Sequence, residues 1–167
     1  SIQVPNEWVF SYTEGDSNPH DDWPFVPPEV RVLPADQLPA NERDLFVLDG
    51  SYTVKIFKGF GAWNGRLSQA ISGLSGEYQI ALRIFADLVK GYNADGSKIW
   101  ADDPNGLDGK VRVLVNDTTV KPGWVSLTPG VLNEFSLAFP AQGDVNLAVE
   151  FMCPYPLDNS GLFVDDW

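Results

Sequence analysis

Residues 77–85 read Glu-Tyr-Gln-Ile-Ala-Leu-Arg-Ile-Phe, and apolar side chains recur there at every second position. Tyr78, Ile80, Leu82 and Ile84 fall on one face of an extended chain. A two-residue period is typical of a β-strand with one buried face. The same alternation predicts further strands at residues 52–57, 111–115, 135–139 and 145–151, with shorter ones at 30–33 and 162–166.

Turn-forming residue pairs separate these segments, and no segment has a sustained helical period. The nearest helix candidate covers residues 39–45, and two long loops rich in Pro, Asp, Gly or Asn are predicted at about 15–39 and 90–109. Many short strands bounded by turns indicate an all-β sandwich or barrel. The predicted turns are Asp49-Gly50, Ser75-Gly76, Asp95-Gly96, Asp108-Gly109, Pro122-Gly123, Pro129-Gly130 and Gln142-Gly143.

Length and charge restrict the possible functions. The 167 residues fit a single domain, residues 1–167, and 44% hydrophobic residues indicate a globular chain. A net charge of −12 argues against nucleic acid and anionic membranes as partners. No apolar run approaches the roughly 18 residues that cross a bilayer, so we expect no membrane insertion. The final apolar strand stops at Trp167, so we expect a piece excised from a larger multidomain protein, with neighbouring domains as partners.

Catalytic motifs are sparse in the chain. Cys153 is the single cysteine and His20 the single histidine, so an internal disulfide and a zinc site are not expected. We interpret Cys153 as a small buried hydrophobe, because a nucleophilic thiol needs a base and His20 lies in the first long loop. We expect no enzyme activity, and a small hydrolase or lyase is the alternative that paired acidic residues in a cleft would indicate.

Aromatic residues are frequent, with six tryptophans and five tyrosines. Trp63 lies in the glycine-rich segment Gly61-Ala62-Trp63-Asn64-Gly65, Trp23 lies in the first long loop, and Tyr92 and Trp100 bracket the second. Exposed rings stack on the apolar face of a sugar, and planar polar side chains such as Asn64 bind its hydroxyls. The alternative is that each ring caps the end of the sandwich core.

Polar side chains project from two of the predicted strands. Gln79 and Arg83 lie on one strand, Asn146 and Glu150 lie on the other, and a small alanine separates the members of each pair. If the strands are neighbours, these residues form a polar trough that could bind a sugar. Phe85 and Phe151 continue the same faces and are expected to be exposed. The alternative is a solvated outer face with an Arg–Glu ion pair.

Several segments resemble those of jelly-roll carbohydrate-binding modules of the galactose-binding-like β-sandwich superfamily. The likeness covers about residues 48–85 and 145–167. It implies an all-β, two-sheet antiparallel jelly-roll β-sandwich with long Pro/Asp-rich loops. The segments that carry it are Asp49–Phe57, Gly61–Gly65, Leu67–Gln69, Gly76–Tyr78 and Asn159–Asp166.

The resemblance also implies a function and an ion. Such modules do not catalyse; they dock a larger secreted or cell-surface protein onto a polysaccharide or glycan, so an extracellular location is expected. They commonly hold a structural Ca²⁺, which the likeness assigns to Asp165, with Asp49 or Ser51 nearby and Glu7 at the N-terminal position. The alternative function is a structural or adhesive β-sandwich of a cell-surface or virion protein without a sugar ligand.

Overall fold

The computed structural model describes residues 2–15, 26–103, 108–154 and 156–165. That part of the chain holds ten strands, a 3₁₀ turn at Ala35–Gln37 and one short helix, α1, at Arg43–Phe46. Neither helical segment has the length and apolar character of a membrane span. The strands are β1 (Val9–Glu14), β2 (Glu29–Pro34), β3 (Tyr52–Lys58), β4 (Trp63–Tyr92), β5 (Lys98–Trp100), β6 (Lys110–Val115), β7 (Thr118–Thr119), β8 (Val125–Ser126), β9 (Leu132–Cys153) and β10 (Asn159–Asp165).

Two long antiparallel strands, β4 and β9, run through the whole fold. They pair along all of β9 and most of β4, with Trp63 opposite Cys153 at one end and Phe85 opposite Leu132 at the other. The register shifts once near the middle, just after Ile71. This shift divides the ladder into two halves, and each half belongs to a different sheet.

The two sheets share these strands. The front sheet has the order β1, the first half of β4, the second half of β9 and β6, with β7 and β8 on the other side of β6. The rear sheet has the order β2, β3, β10, the second half of β4 and the first half of β9. The strand β5 pairs with the end of β4. This antiparallel two-sheet arrangement confirms the predicted jelly-roll β-sandwich.

Inward side chains from both sheets pack into one apolar core. Trp63, Leu67 and Phe151 of the front sheet and Ile56 and Ile84 of the rear sheet are at most 1% exposed. Each large apolar side chain buried in this way contributes about 1.5–3 kcal/mol. Burial of the apolar side chains that alternate along the strands is therefore the driving force that holds the two sheets together. All the predicted strands lie in β2, β3, β4, β6, β9 or β10, and the predicted helix overlaps α1.

Two of the predicted turns are wrong. Ser75-Gly76 lies inside β4 and Gln142-Gly143 lies inside β9, and both strands continue through these pairs. Gly73, Gly76 and Gly143 have φ of 72°, 124° and 77°, a region that glycine enters without a steric penalty. Here glycine supports an irregularity that bends paired strands instead of ending them. The bend carries β4 and β9 together from the front sheet to the rear sheet.

A second, smaller apolar cluster covers the outer face of the rear sheet. Phe46 of α1 stacks on Phe163 of β10 with ring centroids 3.7 Å apart, and its centroid is 5.1 Å from that of Phe85. The expectation that Phe85 is exposed is therefore wrong, because α1 packs over it. Phe151 is not exposed either, since it points into the main core.

We expect Trp63→Ala to lower the free energy of unfolding by about 3–5 kcal/mol, the usual effect of truncating a buried large aromatic residue. Trp63→Phe should cost less, because the ring is largely kept. The substitution also removes the buried indole N–H of Trp63. That group has no hydrogen-bond partner among the described residues, so no hydrogen bond is lost. Urea unfolding followed by circular dichroism measures both effects. Tyr52→Ala is the control, because Tyr52 is 59% exposed and its truncation should cost little stability. An equally small loss for Trp63→Ala would contradict the burial of Trp63.

Candidate functional site

The outer face of the front sheet carries a groove of about 330 Å³. Its walls come from β1, β4, β6, β9 and the segment before β8. Successive residues of a strand point to opposite faces, so Leu67 and Val149 enter the core while Arg66 and Glu150 face the groove. The groove therefore depends on the same register that forms the core.

Three charged side chains form a row across this groove. Arg66 of β4, Glu150 of β9 and Arg112 of β6 are direct neighbours in the strand register. Arg112 donates to Glu150 Oε2 from Nε at 2.7 Å and from Nη2 at 2.6 Å, and Arg66 donates to Glu150 Oε1 at 3.3 Å. Arg66 also pairs with Asp117 at 2.5 Å. With Asp117 counted beside the row, two positive charges match two negative ones, so these four groups together carry no net charge.

An aromatic ring lies on one side of the charged row. The guanidinium of Arg112 is 4.5 Å from the centre of the Trp124 ring, and this cation–π contact orients both groups. Tyr12 of β1 is also among the residues that line the groove, but it pairs with core-facing Gly65 and its ring stacks on that of Phe10 with centroids 6.3 Å apart. The Tyr12 ring therefore lies on the core-facing side of β1, and Trp124 is the ring that faces the row.

Asn64 adds an amide to the groove. Its Nδ2 donates to Thr13 Oγ1 at 3.4 Å and to the carbonyl oxygen of Glu14 at 3.5 Å. Both contacts are long for hydrogen bonds, so a ligand hydroxyl can replace them at low cost. A ring for stacking, two guanidinium groups, a carboxylate and an amide are groups of the kind that can bind a sugar.

The groove contains two of the predicted ligand residues, Asn64 and Glu150. Sequence reasoning missed both arginines and the Trp124 ring of this site. The alternation of β4 and β6 carried a signal for the arginines, since Arg66 precedes buried Leu67 and Arg112 lies between two buried valines. No local pattern marks Trp124, because it lies between strands.

The predicted trough is wrong in its geometry. Glu150 is opposite Arg66, whereas Gln79 and Arg83 lie beyond the register shift, in the rear-sheet half of β4. Asn146 is on the front-sheet half of β9, so the four residues do not line one surface. Each has a local partner instead: Gln79 donates to Ser136, Arg83 pairs with Glu134 at 3.1 Å, and the backbone N–H of Asn146 donates to Asn116 Oδ1 at 2.8 Å.

The predicted aromatic residues have different surroundings. Trp63 is fully buried, so the prediction that its ring faces a ligand is wrong; its glycine-rich neighbourhood is a strand. Trp100 is half-buried and packs edge-on against Phe85, with ring centroids 6.2 Å apart. Tyr92, at the end of β4, is 50% exposed but lies outside the groove. Trp23 lies outside the described residues.

A separate pocket of about 400 Å³ is lined by Asp49, Ser51 and Asp165. The buried Asp165 accepts the backbone N–H of Leu48 at 2.5 Å and that of Asp49 at 3.1 Å, both on Oδ2. Asp49 Oδ1 accepts the N–H of Gly50 at 2.7 Å. Asp165 therefore ties the loop before β3 to the end of β10 through these two hydrogen bonds.

The predicted calcium ligands do not form one cluster. Glu7 accepts a hydrogen bond from Gln69 at 3.4 Å, in the front-sheet half of β4, and is not among the residues lining the Asp165 pocket. Within the part of the chain that the structure describes, no three His, Cys, Asp or Glu side chains gather as metal ligands. Calcium needs about six to eight oxygen ligands, and the described side chains here fit that need poorly.

Cys153 is buried among apolar side chains, as the sequence predicted. Burial, with a smaller contribution from the charge of Asp108, raises the pKa of its thiol far above the usual range. A protonated, buried thiol is not a nucleophile at neutral pH. His20 lies outside the described residues.

Comparison with protein-family models and with curated proteins finds no match. Solved structures do match. TmCBM61 in complex with β-1,4-galactotriose has a TM-score of 0.54 and 17% identity, over 96% of this chain and 86% of that one. A structure of carbohydrate-binding modules from the β-sandwich superfamily has a TM-score of 0.51 and 10% identity, over 97% and 56%.

The enzymatically active domain of bacteriophage CBA120 tailspike protein 4 has a TM-score of 0.50 and 11% identity. The match covers 95% of this chain but only 18% of the tailspike chain. At these identities the likenesses concern the fold. The chain has the jelly-roll β-sandwich fold of carbohydrate-binding modules.

We expect Asp165→Ala to lower the melting temperature, because two backbone N–H groups lose their acceptor. Each unsatisfied N–H costs about 1–3 kcal/mol of folding free energy when it is buried. The decrease should be equal in EDTA and in CaCl₂, since the described bonds need no ion. Differential scanning calorimetry of both proteins in both buffers measures it. EDTA lowering the melting temperature of the wild type but not of Asp165→Ala would instead support the structural calcium that the resemblance implies.

Proposed function

We propose that the chain is a carbohydrate-binding module that holds a neutral polysaccharide or glycan in the front-sheet groove. We further propose that it docks a larger secreted or cell-surface protein onto that polymer. The observation that supports the first statement is the row of Arg66, Glu150 and Arg112 beside the ring of Trp124. One solved structure of similar fold holds a trisaccharide, so the fold is compatible with this role.

The groove would bind a sugar with groups that are already oriented. Trp124 offers a ring surface for the apolar face of a pyranose. Arg66 and Arg112 each keep N–H donors beyond those used on Glu150, and neighbouring hydroxyls can accept them in pairs. The groove is shallow and holds few ligand atoms, so we expect dissociation constants of about 1 μM to 1 mM.

Charge matching in the groove favours uncharged ligands. The two arginines are paired with Glu150 and Asp117, which leaves no unmatched cation in the row to attract a carboxylate or sulfate. The net charge of −12 also repels polyanions at long range. Neutral polymers therefore suit this surface better than uronic-acid or sulfated polymers.

We expect the isolated chain not to cleave the bound polymer. A glycosidase needs two carboxylates that face each other across the substrate, one of them protonated. In the groove, Glu150 lies between two guanidinium groups and Asp117 is paired with Arg66, so neither carboxylate is left free to face the other across a substrate. A reducing-sugar assay after incubation with polysaccharides tests this expectation, and released sugar would contradict it.

The tailspike likeness supports a second candidate function, a structural or adhesive domain of a virion or surface protein. In that role Trp124 would contact a neighbouring domain instead of a sugar. The two functions differ in solution. A structural domain would dimerise or bind its neighbour through this ring, and it would not be retarded by any polysaccharide.

We expect Trp124→Ala to weaken polysaccharide binding about tenfold, because a stacking ring is lost and Arg112 loses the surface that orients it. Retardation in native gels that contain plant, algal or bacterial polysaccharides measures the change. Arg83→Ala is the matched control, since Arg83 pairs with Glu134 outside the groove. Equal weakening by both variants would move the binding site away from the groove.

The affinity for a neutral polysaccharide should change less than twofold between about 50 mM and 500 mM NaCl, because uncharged ligands are not screened. Binding that weakens steeply over this range would show that an anionic polymer is the ligand. Isothermal titration calorimetry with the best polymer from the gel screen gives the comparison.

A further inference from the structure

The hairpin between β6 and β7 has a tip whose position is set by the sheet. Val115 pairs with Thr118, so the loop between them consists of Asn116 and Asp117. Both loop residues have positive φ, of 49° and 60°, as the type I′ turn of a two-residue hairpin requires. The backbone N–H of Asn116 donates to the carbonyl oxygen of Asn146 at 2.9 Å, and Asn116 Oδ1 accepts the N–H of Asn146 at 2.8 Å. These two bonds fix the tip to β9, next to the charged row.

The turn itself does not call for an acid at its second position. Glycine is strongly preferred there, because it adopts a positive φ without a steric penalty. Asp117 occupies the position instead, with a side chain that is 76% exposed, and its Oδ1 accepts Arg66 Nη2 at 2.5 Å. An ion pair this exposed adds little to stability. Neither the turn nor the fold requires the acid, so we look for its role at Arg66.

The two acids that contact Arg66 are held differently. Glu150 is mostly buried and accepts hydrogen bonds from both Arg66 and Arg112. Asp117 reaches Arg66 from outside the residues that line the groove, and Arg66 is its hydrogen-bond donor among the described residues. Glu150 is therefore a fixed part of the row, whereas the contact between Asp117 and Arg66 Nη2 is one that an anion in solution can replace.

Asp117 determines the charge that a ligand meets. With it, two guanidinium groups face two carboxylates. Without it, Arg66 and Arg112 share Glu150 alone, and the row carries one positive charge. A carboxylate on a sugar could then bind Arg66 through a charge-assisted hydrogen bond, which is stronger than a bond to a neutral hydroxyl. With Asp117 present, the same carboxylate has to displace a like charge and remain beside it.

We propose that Asp117 makes the groove selective for neutral over uronic-acid polymers. It is a positioning residue that acts through Arg66: it occupies Nη2 and cancels the charge that a uronic-acid carboxylate would need. Hydroxyls of a neutral polymer lose little by this, because they use N–H donors that Glu150 and Asp117 leave available. The inference rests on the proposed function, since it assumes that the groove binds a polysaccharide.

Asp117→Asn tests the proposal, because it removes the charge, keeps the size and places a residue that tolerates positive φ. The affinity for polygalacturonate, relative to that for the neutral polymer that the wild type binds best, should rise about tenfold or more. The gained binding should weaken steeply between about 50 mM and 500 mM NaCl. Isothermal titration calorimetry measures both effects, and melting curves show that the variants are folded.

Asp102→Asn is the matched control. Its carboxylate is also 76% exposed, pairs with Lys90 at 2.6 Å and lies outside the groove, so the variant loses the same charge from a similar ion pair. A gain in polygalacturonate affinity should be absent in this control. Adding Arg66→Gln to Asp117→Asn should abolish the gain, because the guanidinium that binds the carboxylate is removed.

A small anion gives a second readout at the arginine itself. In Asp117→Asn, D-galacturonate should shift the Nε–H NMR signal of Arg66 with a dissociation constant of about 10 mM, since few ligand atoms are held. The wild type should show no shift up to about 100 mM, and methyl α-D-galactoside, which is uncharged, should not reproduce the gain.

The outcomes separate this inference from the proposed function. If the wild type binds neutral polymers but Asp117→Asn gains no affinity for polygalacturonate or D-galacturonate, the role of Asp117 is wrong and the proposed function is unaffected. An equal gain in Asp102→Asn, or a gain that persists with Arg66→Gln, also overturns the role of Asp117. If the wild type binds no polysaccharide, both the proposed function and this inference are wrong.

Discussion

The paired strands β4 and β9 determine the positions of the other elements. Their ladder is continuous from Trp63 to Phe85, yet it belongs to two sheets because it bends near the register shift. The bend depends on Gly73, Gly76 and Gly143, whose positive φ values would strain other residues. In the front sheet, the free edges of the ladder pair with β1 and β6. In the rear sheet, the ladder pairs with β10, and β3 and then β2 extend the sheet beyond it. The core lies between these two sets because the bend turns them to face each other.

The groove and the core are two consequences of one register. Sliding β4 past β9 by one residue would bring Arg66 into the core and Leu67 to the surface, which the buried face forbids. The charged row itself adds little to stability, because desolvating charges offsets most of their attraction. The row is therefore not required by the core, which is consistent with the proposed role of this face in binding.

The sequence predicts the strands because the two-residue period is local, and burial then follows it through β3, β4, β6 and β9. The turn predictions at Ser75-Gly76 and Gln142-Gly143 are wrong. Glycine with a positive φ occurs both in turns and in bent strands, and only the pairing with a neighbouring strand distinguishes the two. The prediction that the Trp63 ring faces a ligand is wrong for a related reason, because the glycine-rich residues around it resemble a loop.

The composition of the site depends on contacts between distant residues. Glu150 was predicted from its strand face and Asn64 from its glycine-rich segment. The predicted trough combined the wrong halves of β4 and β9, because only the register shows that Glu150 is opposite Arg66. Trp124 enters the groove from a segment without periodicity. A single sequence therefore identifies which residues face outward, and the register decides which of them meet.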